Sequence, residues 1–203
     1  MSQFKVGKMS RRLGIGLTAK GQRILERRPY PPGQHGPGRR GKPSEYSNQL
    51  LEKQKLRFLY RLSEKQFKRL FEKAKRQSGP TGENFLVLLE RRLDNVVYRG
   101  CMAKTRAQAR QLVAHGHITV NGRKSKTPAL QVRPGDVIAV RTESLRRPYF
   151  QELKNSSFMA TEHGLSWLET DPEKLQITIL ENPSHTDGEQ LPNVQAIIEF
   201  YSR

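Results

Sequence analysis

The chain has one cysteine and one tryptophan in 203 residues, and 19 acidic side chains against 37 lysines and arginines. A single thiol, Cys101, excludes an internal disulfide and predicts a reducing, cytoplasmic setting. No apolar run approaches the roughly 18 residues that a spanning helix needs. The basic N-terminus is not followed by the apolar stretch of a secretory signal, so neither a membrane span nor secretion is predicted. No P-loop, nucleophile elbow or pair of catalytic carboxylates occurs, and no enzyme is predicted. With 34% apolar residues the cores must be small for the length.

What the chain has in excess is positive charge. The formal net charge is +18 and the pI is near 10.4. Such a charge repels itself in the folded state and needs a polyanion to offset it, which points to nucleic acid. The charge is uneven: residues 1–45 carry +9, residues 46–149 carry +15 and residues 150–203 carry −6. The first three quarters of the chain should therefore face the partner.

Within that basic part, "RRPYPPGQHGPGRRGKP" (27–43) holds five prolines and four glycines, which rule out helix and paired strand alike. It reads as an extended strap that loses little entropy when ordered on RNA. Arg27, Arg28, Arg39 and Arg40 supply charge, Gly33 and its neighbouring glycines allow close backbone approach, and Tyr30 and His35 are placed to stack. Residues 1–43 show no sustained hydrophobic period beyond a turn near Ser10–Gly14. They are read as a basic extension, poorly ordered in isolation.

From Ser44 the pattern is helical. Leu50, Leu51, Lys55 and Phe58 follow helical spacing, and Ser63 with Gln66 forms a capping box for a helix carrying Phe67, Leu70, Phe71 and Ala74. "TGENFLVLLERRLDNVVYRG" (81–100) reads as one further helix ended by Gly100. Thr105 with Gln108 caps a short helix that stops at Gly116. Asn121-Gly122 between extended flanks signals a hairpin, and "VIAV" (137–140) and "LQITIL" (175–180) read as strands. Val194, Ile197, Ile198 and Tyr201 predict a closing C-terminal helix. The fold class is α+β: a basic helical bundle plus a domain of mostly antiparallel sheet with helices.

The candidate contacts gather between Arg92 and Lys126. Arg106 and Arg110 are four apart on a helix, so their guanidinium groups share a side. Thr105 caps that helix, whose first amides favour a phosphate. His115, His117, Asn121, Gly122, Arg123 and Lys124 cluster at the hairpin. Arg11, Arg12, Lys55 and Arg57 complete the set of candidate RNA-binding residues in the N-terminal part. Asp94 is expected to pair with a nearby arginine.

"RRLDNVVYRG", "KTRAQARQLVAHGHITVNGRK" and "VRPGDVIAV" together resemble the RNA-binding module named after small-subunit ribosomal protein four. "RRPYPPGQHG", "SEYSNQLLEKQKLRFLY", "SEKQFKRLFEKA" and "IIEFYSR" resemble, in order, segments of that ribosomal family itself, bacterial or organellar. The resemblance implies a structural constituent of the small subunit: a primary rRNA binder at a helical junction of the five-prime domain. It would nucleate assembly and, beside small-subunit proteins three and five, bear on decoding accuracy near the channel through which mRNA enters. It implies a monomer within the ribosome, in the cytoplasm or in the plastid stroma if organellar, with no membrane partner. A free regulator acting on mRNA or on transcription is the alternative. The resemblance also implies a helical domain of residues 44–89 and 192–203 interrupted by a domain of residues 90–191, with the module at about 90–150. Some members bind zinc through four cysteines before "RRPYPPGQHG"; here Gly7 and Ser10 stand where the first pair would fall, so no zinc and no other cofactor is expected.

Overall fold

The computed structural model describes residues 5–38, 41–156, 165–183 and 192–202. The chain divides into two compact units, Met1–Lys68 with Leu191–Arg203, and Arg69–Gln190. The compact units change at 68/69, because Phe71 meets Phe85 edge to face at 5.5 Å and Gln131 reaches the Leu88 carbonyl.

In the first unit the basic extension is not structureless. Residues Val6–Leu13 form helix α1 and Ala19–Arg27 form α2, packed on each other. Hydrophobic period fails to announce them because their contact is made by small groups. A Cβ on Gly21 would collide with the Ser10 hydroxyl, and one on Gly7 would lie 2.7 Å from Ile24 Cδ1. Ser10 is fully buried and accepts a hydrogen bond from Leu17 N at 3.2 Å. Thr18 caps α2 by accepting from Gly21 N.

Helix α3 (Glu45–Leu59) packs on α1 and on the C-terminal helix, α9 (Val194–Ser202). Its buried face carries Gln49, Lys53 and Leu56, with Tyr60 just beyond, and not the expected Leu50, Leu51 and Phe58, which are half-buried. Polar side chains can face inward because each finds a partner there. Gln49 donates to Glu199 at 3.1 Å, and Lys53, 6% exposed, pairs with Glu64 at 2.6 Å while lying over the Phe200 ring. The capping box at Ser63 and Gln66 is reciprocal, each side chain meeting the other's amide at 3.3 Å. It opens α4 (Glu64–Lys75), whose last turns belong to the second unit.

In the second unit, residues 81–100 are not one helix. Helix α5 (Thr81–Glu90) stops, Arg92 is extended, and α6 (Leu93–Arg99) restarts. The break is held from outside: Leu93 N and Asp94 N donate to the carbonyls of Leu130 and Pro128, and Val132 N donates to Arg91 O. Gly100 follows, and a Cβ there would run into Ile177, so glycine lets α6 lie close on the sheet. Helix α7 (Arg106–Ala114) packs on α6.

The sheet strands are β1 (Ile118–Val120), β2 (Arg123–Ser125), β3 (Val137–Val140), β4 (Leu168–Asp171) and β5 (Gln176–Ile179). They lie in the order β2-β1-β3-β5-β4, each pair antiparallel. Asn121 (φ 50°) and Gly122 (φ 75°) make the two-residue β1–β2 turn that the sequence predicts. Helix α8 (Pro148–Asn155) seats Phe150 and Leu153 in a core with Val97, Met102, Ile138, Ile177 and Trp167. Among the described residues no helix is long and apolar enough to cross a membrane.

Candidate nucleic-acid interface

In the second unit, α5, α6 and α7 place four arginines around two carboxylates. Asp94 accepts from Arg92 Nε and Nη2 at 3.0 and 2.8 Å and from Arg110 Nη1 at 3.2 Å. Glu90 accepts from Arg99 at 2.9 and 2.7 Å and from Asn95 at 2.7 Å. Arg106 donates to Asn95 Oδ1 at 2.9 Å, its guanidinium 4.5 Å from the centre of the Tyr98 ring.

Arg106 and Arg110 do share a side of α7, as expected, but that side faces α6. Arg92 is 2% and Arg106 is 9% exposed, so both lie between α6 and α7 and not on the surface where they were expected. Thr105 likewise spends its hydroxyl on Gln108 N. Asn121 donates to Asp136 Oδ1 and accepts from Val137 N, both at 2.8 Å, which ties the hairpin tip to β3.

Of the candidate residues in this unit, the cations that face outward lie at the hairpin. Arg123 and Lys124 on β2 are exposed, as are Lys126 beyond it and His115 at the end of α7. Gly116 sits beneath them: a Cβ there would meet Lys124 Cε and, at 3.3 Å, Lys126 Cε and Cγ. His117 is half-buried, its Nδ1 3.0 Å from Ser144 Oγ and its ring edge-on to Phe150 at 5.9 Å. Burial lowers its pKa, and the charges of Arg147, His115, Lys124 and Arg141 lower it further. Sequence spacing reaches Lys126 only as the end of the candidate stretch and passes over Arg141 and Arg147. Lys126 was readable as the i+2 neighbour of Lys124 on a period-two strand; Arg141 and Arg147 arrive only through the β1–β3 pairing and the turn before α8.

Because the folded ring resists protonation, the stability His117 contributes falls as pH drops through its ordinary value of 6.5, where the unfolded chain takes up the proton. A phosphate bound among these cations reverses the bias. An NMR titration of His117 is expected to show a midpoint below 6.5 in the free protein and a higher one with RNA bound. An unmoved midpoint would take His117 out of the interface.

In the first unit, Arg11 is a structural clamp: Nε and Nη2 donate to the carbonyls of Tyr30 and Pro31, both at 2.9 Å, and the guanidinium covers one face of Tyr30. Tyr30 is half-buried. Gly33 has φ 104° and leaves open space around it. Gly36, by contrast, is needed for the approach of the Pro31 carbonyl, not of a phosphate.

Lys55 pairs with Glu52 at 2.7 Å. Arg57 bonds Gln54 and the Leu62 carbonyl, stacks on Phe58 at 4.2 Å and lies 3.4 Å from Glu64. Burial lowers its pKa, opposed chiefly by Glu64. Of the candidate residues in this unit, Arg12, Arg27, Arg28 and His35 are exposed. Arg39 and Arg40 lie outside the described residues.

Cys101 is buried and its thiol is pushed up to about 11, so it stays protonated at neutral pH. Among the described residues no three His, Cys, Asp or Glu side chains gather as a metal site.

The helix–helix–hairpin that follows α5 in the second unit is an S4 domain, whose family model matches residues 91–138; that of the "Ribosomal protein S4/S9 N-terminal domain" matches residues 2–90. The chain is 58% identical over 199 residues to the small ribosomal subunit protein uS4 of Roseiflexus castenholzii, covering 98% of this chain and 97% of that protein. It is 55% identical to the uS4 of Chloroflexus aurantiacus with the same coverage, and 49% identical to that of Geobacillus stearothermophilus over 97% and 96% of the two chains. The chain belongs to the uS4 family of small ribosomal subunit proteins, a structural and non-enzymatic family.

Proposed function

We propose that this chain is a structural constituent of the small ribosomal subunit and a primary binder of its rRNA. It recognises a helical junction in the five-prime domain and nucleates assembly there. Contacts with small-subunit proteins three and five place it by the channel through which mRNA enters and give it a part in decoding accuracy. No cofactor takes part.

The observation that carries the RNA-binding reading is the division of charge. The carboxylates Asp94, Glu90, Glu52 and Glu64 are spent on inward or half-buried cations. Arg12, Arg27, Arg28, Arg123, Lys124, Lys126 and Arg147 stay exposed. Cations arranged in that way track a phosphate backbone, while the fold of the RNA supplies specificity. If roughly seven phosphates are engaged, log K falls by about six per tenfold rise in salt.

A filter-binding titration against the five-prime domain of small-subunit rRNA, with equal-length duplex RNA as competitor at two salt concentrations, tests this. Preference for the rRNA domain is expected at both. Equal affinity for the two RNAs would reduce the chain to a general basic RNA binder.

A further inference from the structure

Three large apolar side chains of α3, Leu50, Leu51 and Phe58, turn away from the buried face of their helix and toward a cleft of about 710 Å³. Its other walls are α1 and the loop from Pro31 to Gly36. The volume lies within the range of sites for small organic ligands, about 300–1,000 Å³. Its chemistry is lopsided. Leu13, Leu50, Leu51 and Phe58 give it apolar lining, its cations are the exposed Arg12 and His35 and the half-buried Arg57, and no Asp or Glu is among the described residues that line it. The loop wall is set in advance, since Arg11 holds the carbonyls of Tyr30 and Pro31 and prolines stiffen the turn that follows. A wall already in place reduces the ordering cost of binding.

A flat apolar body carrying a negative charge fits such a cleft. We propose that it takes a single unstacked nucleotide, with the base against Leu50, Leu51 and Phe58 and the phosphate on Arg12 and His35. A base turned out of a helix presents two apolar faces and an anionic backbone within a few ångströms of them, and stacking or apolar capture of such bases is how proteins read irregular RNA. A blunt duplex, whose bases are all stacked, has no free base to offer such a cleft. The inference rests on the RNA-binding reading above and adds to it that one unpaired nucleotide is held in a defined place.

The test uses the full chain and two RNA hairpins, one with a flush stem and one with a single bulged 2-aminopurine. The bulged RNA is expected to bind at least tenfold tighter. Leu51→Trp, which fills the cleft without changing charge, should erase that preference and leave affinity for the flush stem within twofold. Leu50 and Leu51 methyl resonances of the unsubstituted protein should shift with the bulged RNA and not with the flush one, a readout independent of the variant's folding. Equal binding of both RNAs by the unsubstituted chain overturns the cleft assignment alone. Binding of neither overturns the RNA-binding reading with it. AMP identifies the source of the ligand: methyl shifts with millimolar AMP mean that a free nucleotide suffices, and shifts with the bulged RNA only mean that the nucleotide must belong to RNA.

Discussion

Replacing Asp94 by alanine is expected to cost the second unit about 3–5 kcal/mol, the usual loss when one partner of a buried ion pair is removed. Asp94 is the shared acceptor of Arg92 and Arg110, and Arg92 is 2% exposed, with no water to take over its charge. The truncation leaves that guanidinium desolvated and unpaired. Urea unfolding followed by the fluorescence of Trp167 measures the effect cleanly, because this sole tryptophan is 1% exposed and sits in the same core. Pairing Asp94→Leu with Arg92→Met should recover most of the loss, since replacing both ions by apolar groups removes the stranded charge. A loss below about 1 kcal/mol in the single variant would mean that Arg92 finds another acceptor, and the buried cluster would then not organise the α6–α7 pair.

Reversing the hairpin cations tests the opposite side of the same unit. The triple variant Arg123→Glu, Lys124→Glu, Lys126→Glu is expected to weaken rRNA binding by at least about 100-fold near physiological salt and to make the salt slope shallower by about 2.7, three phosphates at about 0.9 each. Its thermal midpoint should stay near that of the parent, because all three side chains are exposed and Lys124 and Lys126 crowd the same glycine. Arg106→Ala makes the contrast. It removes a buried donor to Asn95 and the cover of Tyr98, so it should lower stability while leaving the salt slope unchanged. Should the Arg106 variant flatten the slope and the hairpin variant leave it intact, the interface would lie on α7 after all.

These two experiments separate what spacing along the chain can express from what it cannot. Local chemistry was legible. The Asn121-Gly122 turn, the capping box at Ser63, the Thr105 cap (with Gln108 reaching back to Lys104 N rather than Thr105 N) and the stop at Gly116 appear where their residues demand them. The C-terminal stripe of Val194, Ile197 and Ile198 likewise lies on α9. Direction was not legible. Helical period says that Arg106 and Arg110 point together, but not that Asp94 and Asn95 wait on the facing helix. It assigned α3 an apolar inner face, whereas the acids Glu64 and Glu199 brought Lys53 and Gln49 inward and left Leu50, Leu51 and Phe58 to the cleft. The α1–α2 pair escaped notice because glycine and serine, the residues that let two helices approach, carry little hydropathy. In a chain this basic, an arginine's role depends on whether a carboxylate lies across from it, and that is a property of the fold.

The pairing of α3 with α9 has a consequence for how the protein is made. Gln49 and Glu199 are 150 positions apart, and the first unit draws on both ends of the chain. At a synthesis rate of about 5–20 residues per second, α3 waits roughly 8–30 s for its partner helix to be translated. During that time the second unit, contiguous in sequence, can already close around Trp167 and expose its hairpin. A nascent chain therefore closes its two units in sequence, the second around Trp167 and the first only once α9 has emerged to cover Gln49 and Lys53, so a ribosome stalled in the last turns of α9 would hold α3 with its polar inner face still bare.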